Sequence, residues 1–260
     1  MPPTKAILCL HGGGTSGNIF RMQLAKIRLQ LKDEFEFVFM DAPYPADAGP
    51  GILPIFAAAA PFFGWFGGSS ADIDGRLETI NTSVRAAIEG WAASRTTLAT
   101  IVGILAFSEG ALAASMLLWQ QERGRLPWLP VVRFAVLISC FFPDQAAAYM
   151  AADEAATGHE RTLIRVPTLH LHGRQDFALA RMRKLVSERC DPDTARVVDF
   201  NGGHQVPNSA VDCATVVKHI ITLDRTRSNV CLDVKKAMLL QFNVFRHFSS
   251  SKRAVKSGQE

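Results

Sequence analysis

Between Leu98 and Leu118 the chain runs through an apolar stretch, five tight residues and a second stretch rich in alanine and leucine. The five are Ala106-Phe107-Ser108-Glu109-Gly110. A buried strand followed at once by a buried helix leaves little room at the turn. Small residues are therefore needed two before and two after its tip, and the tip residue is lifted out of the sheet. Ser108 is that residue. Alanine at 106 stands where glycine is usual and adds one methyl group at the tightest point. A buried or capping serine is the alternative reading of the five residues alone. The strand before them and the helix after them favour a nucleophile elbow.

The rest of the chain repeats the same alternation. Strands are expected at Ala6–Leu10, Phe35–Met40, Thr100–Phe107, Phe134–Ser139, Thr168–His172 and Arg196–Phe200. Helices are expected near Ile19–Leu31, Ile73–Ser94, Gly110–Glu122, Leu179–Arg189 and Ala210–Leu223. Strands separated by helices imply an α/β fold, a mostly parallel sheet with helices on both faces. Neither an internal repeat nor a heptad pattern is visible.

A serine hydroxyl is a weak nucleophile and needs a base, which in turn needs an orienting group. Elbow enzymes carry them in the order serine, acid, histidine. Asp176 follows the strand ending at His172, in the loop Gly173-Arg174-Gln175-Asp176, and a plain turn aspartate is its alternative reading. His204 closes Asn201-Gly202-Gly203-His204 after the last expected strand, and an ordinary loop histidine is its alternative. Three candidates in the right order, each just past a strand, point to one site at the sheet edge. His170 and His172 alternate along a strand and share a face, as two metal ligands would. No Cys, Asp or Glu accompanies them at metal spacing, so no metal is expected. His219 and His247 read as surface residues. After the first strand, His11-Gly12-Gly13-Gly14 lets the backbone approach a ligand closely. Amides from Gly13 and from Glu109, the residue after the serine, are the expected oxyanion donors. A phosphate-cradling loop is the rival, weakened by the lack of Gly-Lys-Ser/Thr and of G-x-G-x-x-G spacing.

These motifs together carry a resemblance. Leu10-His11-Gly12 with Gly17 and Phe20, Asp41-Ala42-Pro43, Ala106-Phe107-Ser108-Glu109-Gly110, His172-Gly173 with Asp176, and Gly203-His204 resemble the fungal serine hydrolase family over about residues 4–223. The resemblance implies an α/β-hydrolase fold with Ser108 as nucleophile, Asp176 as orienting acid and His204 as base. It also implies an esterase or thioesterase of the lovastatin type, encoded beside a polyketide synthase. The expected substrate is then a small acyl molecule, held as a thioester on the synthase's acyl carrier domain, and no cofactor is implied. Glu109 departs from the family, in which glutamine is common there. A small-ester carboxylesterase and a degenerate acyl-binding protein are the rival functions.

Composition narrows the remaining choices. Nearly half of the 260 residues are apolar, enough for one α/β domain, or two small ones, without disulfide staples. Five scattered cysteines, an odd number, read as reduced thiols of a cytoplasmic protein. The start at Met1-Pro2-Pro3 lacks the basic and apolar regions of a secretory signal. Residues 48–71 form the longest uncharged stretch, but Pro50, Pro54 and Pro61 with Gly64, Gly67 and Gly68 argue against a membrane span. Phe56, Phe62, Phe63, Trp65 and Phe66 in this stretch are read as a substrate-binding lid, with a core-packing insert as the equal alternative.

Residues 1–225 hold 21 Lys/Arg and 22 Asp/Glu, which excludes nucleic-acid binding by charge. Residues 226–260 hold 7 and 2. The expectation is therefore a catalytic domain over 1–225 followed by a basic, flexible extension over 226–260. An amphipathic helix on a membrane surface or a partner is the other reading of that tail.

Overall fold

The computed structural model describes residues 3–67 and 73–226. The basic extension expected over 226–260 lies, from residue 227 on, outside the described residues.

Six parallel strands make the main sheet: β1 (Lys5–Leu10), β2 (Glu36–Met40), β5 (Thr100–Phe107), β6 (Phe134–Ile138), β7 (Thr168–Gly173) and β8 (Ala195–Phe200). Their spatial order is β2-β1-β5-β6-β7-β8. The chain steps outward from β1 to β2, then returns to the other side of β1 with β5. The order therefore reverses between β1 and β5, and loops leaving the carboxyl ends of these two strands flank a crevice. A short antiparallel pair, β3 (Tyr44–Ala46) and β4 (Phe62–Gly64), stands apart from the sheet.

Helices cover both faces. α1 (Gly17–Gln23), α2 (Ala25–Leu31) and α7 (210–226) lie on one side; α3 (Ile73–Ala93) and α4 (Glu109–Glu122) lie on the other, with α5 (Asp144–Ala156) and α6 (Leu179–Arg189). Strand periodicity divides the core accordingly. In β1, Ala6, Leu8 and Leu10 face the α3/α4 layer, while Ile7 and Cys9 face the α1/α7 layer. In α3, Leu77, Ile80, Val84 and Ile88 form a single stripe at helical spacing. α4 is buried nearly all round, from Gly110 to Gln120, which explains a sequence apolar on every side.

The expected strands and helices are all present within a few residues, except that Ile19–Leu31 is two helices meeting at Leu24. Among the described residues, β3, β4, α5 and a single 3-10 turn at Ala57–Ala59 were not foreseen. Because α5 is mostly alanine, it carries little periodic signal. It is tied in by a buried ion pair from Glu154 to Arg189 of α6 at 2.9 Å, and Trp119 Nε1 donates to the same carboxylate at 3.0 Å.

Candidate active site

Ser108 follows β5 with φ 54° and ψ −118°, a left-handed conformation that is strained for a side-chain-bearing residue. Its neighbours hold it there. The Ser108 amide donates to Ile138 O of β6 at 2.9 Å, and its carbonyl accepts from Ala111 and Leu112 in the first turn of α4. Gly110 is required because a Cβ there would collide with the carbonyl oxygens of His11 and Leu10. This is the close approach of helix to strand that the small residues of the turn allow. Ala106 is fully buried in the α3/α4 layer, so its extra methyl is accommodated.

His204 Nε2 lies 2.7 Å from Ser108 Oγ, and its Nδ1 lies 3.0 and 2.9 Å from the two Asp176 oxygens. A carboxylate only accepts, so Nδ1–H donates to Asp176 and Nε2 is left to accept from the serine hydroxyl. Asp176 has no exposed side-chain surface, and its Oδ1 also accepts from the Ala178 amide at 2.8 Å. The loops carrying acid and histidine are zipped together. Arg174 N donates to Phe200 O and Gln175 N to Gly202 O, both at 3.0 Å, while Gln175 Nε2 donates to Asn201 Oδ1 at 3.1 Å. Phe107 and Phe177 pack on the imidazole with ring centroids 5.3 and 4.7 Å away.

The loop after β1 is fixed by His11, which is fully buried. Its Nε2 accepts from Ala42 N at 2.9 Å, so Nδ1 carries the proton and donates to Gly12 O at 2.7 Å. Thr15 Oγ1 donates to the same carbonyl at 2.7 Å, and Trp65 Nε1 donates to His11 O. Burial lowers the His11 pKa, which keeps the ring neutral. Among the described residues, the amides of Gly13 and Glu109 donate to no protein acceptor. Both residues line the same cleft as Ser108. The Glu109 amide is one of those a helix leaves unpaired in its first turn. Its carboxylate accepts from Trp65 N at 3.0 Å and Phe66 N at 3.3 Å, so the departure from glutamine anchors the segment after β4.

The cleft encloses about 590 Å³. Besides Ser108 and His204 it is lined by Pro50, Gly51 and Ile52 from one side and Phe141 and Phe177 from another. Phe177 is 76% exposed although it touches His204. Pro50–Ile52 belong to the uncharged stretch expected over the site, but these residues and Phe177 were not singled out. The only available signals were an aromatic next to Asp176 and a Pro-Gly pair in the uncharged stretch.

Of the five aromatics read as a lid, none lines this cleft. Trp65 is a correction: it is fully buried, and its indole nitrogen is used to hold His11, as a core-packing residue. Phe63 joins the core edge, and its backbone pairs with Gly14 and Thr15. Phe62 opens β4 and Phe56 precedes a single 3-10 turn at Ala57–Ala59; both are half-buried. Phe66 alone lines a hollow, the one adjoining the cleft.

His170 and His172 of β7 are buried away from the cleft. Burial pushes the pKa of His170 down to about 3 and lowers that of His172 as well, so both rings are neutral spacers in the core.

A family model described as serine hydrolase (FSH1) matches residues 1–216. The chain is 44% identical over 224 residues to the esterase mlcF of Penicillium citrinum, covering 83% of this chain and 88% of that protein. It is 43% identical over 231 residues to the dihydromonacolin L-(lovastatin nonaketide synthase) thioesterase of Aspergillus terreus, covering 82% of this chain and 90% of that protein. Among solved structures, Zea mays acyl-protein thioesterase 2 superposes with a TM-score of 0.56 at 19% identity, over 86% of this chain and 95% of the other. That similarity supports the α/β-hydrolase fold.

Proposed function

Because the chain belongs to the FSH1 serine hydrolase family, we propose that it hydrolyses an acyl thioester or ester through an acyl-enzyme on Ser108. The observation that carries this reading is the unbroken hydrogen-bond chain from Ser108 Oγ through His204 to Asp176, opening on a cleft with two unused amides.

Ser108 Oγ attacks the substrate carbonyl carbon while its proton passes to His204 Nε2. The carbonyl electron pair moves onto oxygen, and the amides of Gly13 and Glu109 stabilise that charge; one such donor is worth about 10²–10³ in turnover. Collapse breaks the bond to the thiol or alcohol, which leaves with the proton from His204. Water then adds to the acyl-serine, giving its proton to His204. The second collapse returns that proton to Ser108 and frees the acid. Asp176 holds the imidazole in the tautomer these steps need and stabilises its charged form.

The two fungal relatives are an esterase and a polyketide synthase thioesterase by name. On that basis the substrate is a polyketide acyl group of fungal secondary metabolism, carried as a thioester on a synthase carrier domain. A chain-length series of p-nitrophenyl esters, run beside matched pantetheine thioesters, tests this. Medium-chain thioesters should outperform acetate by about two decades in kcat/KM, since each buried methylene contributes about 0.8 kcal/mol. Preference for acetate with no response to the pantetheine arm would replace this reading with a small-ester carboxylesterase.

We also take the catalytic unit to end near residue 225 and the protein to act in the cytoplasm. Supporting this, α7 (210–226) completes the second helical layer, and the described cysteines Cys9, Cys140, Cys190 and Cys213 are free thiols. No described helix is long and apolar enough to cross a membrane. Deleting 227–260 should leave the melting temperature unchanged, and a drop of several degrees would place the tail in the domain.

A further inference from the structure

A second hollow of about 350 Å³ adjoins the cleft and shares Glu109 and Phe141 with it. Its walls are mostly apolar: Leu112 and Met116 from α4, Ala146 from α5, and Phe66. Two cations stand among them, Arg76 of α3 and Arg181 of α6. Both are half-buried, and neither forms an ion pair with any described residue; Asp144, paired with Lys184, lies within electrostatic reach of Arg181, and the Arg76 Nε is buried without an acceptor. Each guanidinium instead lies over an aromatic ring, Arg76 over Tyr44 and Arg181 over Phe141, at 4.8 Å in both cases. The one carboxylate in the lining, Glu109, is turned onto the amides of Trp65 and Phe66. Cations held against apolar walls are poorly solvated, and an anionic ligand relieves that cost.

The geometry also assigns a direction to this hollow. A leaving group must receive its proton from His204 and so departs on the imidazole side, where Phe177, Gln205 and Val206 line the cleft. None of these three reaches the second hollow, which meets the cleft at Glu109 and Phe141. An acyl chain that leaves Ser108 past the Glu109 amide enters it.

Resting on the proposed role of Ser108, we infer that the second hollow is the acyl subsite, and that Arg76 and Arg181 bind a carboxylate near the far end of an apolar acyl chain.

The test compares two substrates of equal chain length on the full protein: p-nitrophenyl hydrogen suberate and its neutral methyl ester. Wild type should favour the carboxylate at least tenfold in kcat/KM, and Arg76→Met with Arg181→Met should bring the ratio close to one. A ratio near one in wild type, or one that survives in the double variant, overturns the inference. The phosphate of a pantetheine arm is the other source of an anion, so octanoyl thioesters of pantetheine and 4′-phosphopantetheine form a second arm. If the variants abolish that discrimination and leave the suberate ratio intact, the arginines serve the leaving group and the acyl assignment is wrong. Fluorophosphonate labelling separates the two levels. Protein that labels but shows no suberate preference loses the subsite alone; protein that neither labels nor turns over any ester loses the hydrolase reading, and the subsite with it.

Discussion

Two serines occupy matching positions one strand apart. Ser108 follows β5 and Ser139 follows β6, with φ 54° and 46°, and each donates its amide at 2.9 Å to the neighbouring strand, Ser108 to Ile138 O and Ser139 to Leu171 O. In backbone terms they are near duplicates. Their hydroxyls differ completely. Ser108 Oγ opens on the cleft and meets His204, while Ser139 has no exposed surface and its Oγ has no hydrogen-bond partner. A strained turn at a strand end is thus a product of sheet geometry and does not by itself make a nucleophile. The difference is made by what the next layer supplies: at Ser108 a base and open space, at Ser139 neither.

The strongest way to break this comparison is to remove the hydroxyls one at a time. Ser108→Ala should abolish fluorophosphonate labelling and lower turnover by about 10⁴–10⁶ on folded protein, with His204→Ala nearly as severe because such groups act as a unit. Asp176→Asn should cost about 10⁴ by favouring the wrong imidazole tautomer. Labelling that persists in Ser108→Ala and disappears in Ser139→Ala would invert the assignment.

A second comparison, between working and buried histidines, has a pH signature. His170 and His172 have folded pKa values depressed below the unfolded value of about 6.5. The unfolded chain therefore binds their protons first as pH falls. Their contribution to stability is intact above about pH 6.5 and is lost as the pH drops below it, for His170 down to about 3, by up to about 1.4 kcal/mol per unit for each ring. Urea denaturation at pH 7 and pH 5 measures this slope, which His170→Leu should flatten. An unchanged slope in that variant would mean that other groups control the acid limb.

The smallest effect belongs to Ser139→Ala. Removing a buried hydroxyl without a partner should be neutral or stabilising by about 1 kcal/mol, seen as up to about 4 °C in Tm. Activity should be retained. A loss of stability beyond 1 kcal/mol would reveal a hydrogen bond to a buried water at that position.

Most of the sheet was legible because its strands are short runs set off by turn residues, nearly all apolar in β1, β5 and β6 and interrupted by polar side chains in β7 and β8. Ser108, Asp176 and His204 were legible because each follows such a run, and position along the chain reports position at the sheet edge. What periodicity could not convey was burial within an aromatic cluster. Phe63, Trp65 and Phe66 read alike in sequence, yet Trp65 is fully buried against His11 and Phe66 lines a hollow. The cleft rim at Pro50–Ile52 and Phe177 was silent for a related reason. It is made by irregular segments brought together only when the strands beneath them have paired. α5 was missed because alanine marks neither face of a helix.

The hydrogen bond that the Ser108 amide donates to Ile138 O also sets an order of events. The turn after β5 is held by a carbonyl thirty residues further on, and its partner imidazole arrives only after β8, 96 residues from the serine. During refolding, α4 can form on local contacts while the hydroxyl still lacks both its final orientation and its base. Regain of activity therefore reports docking of the last strand, and it should trail the recovery of helical signal.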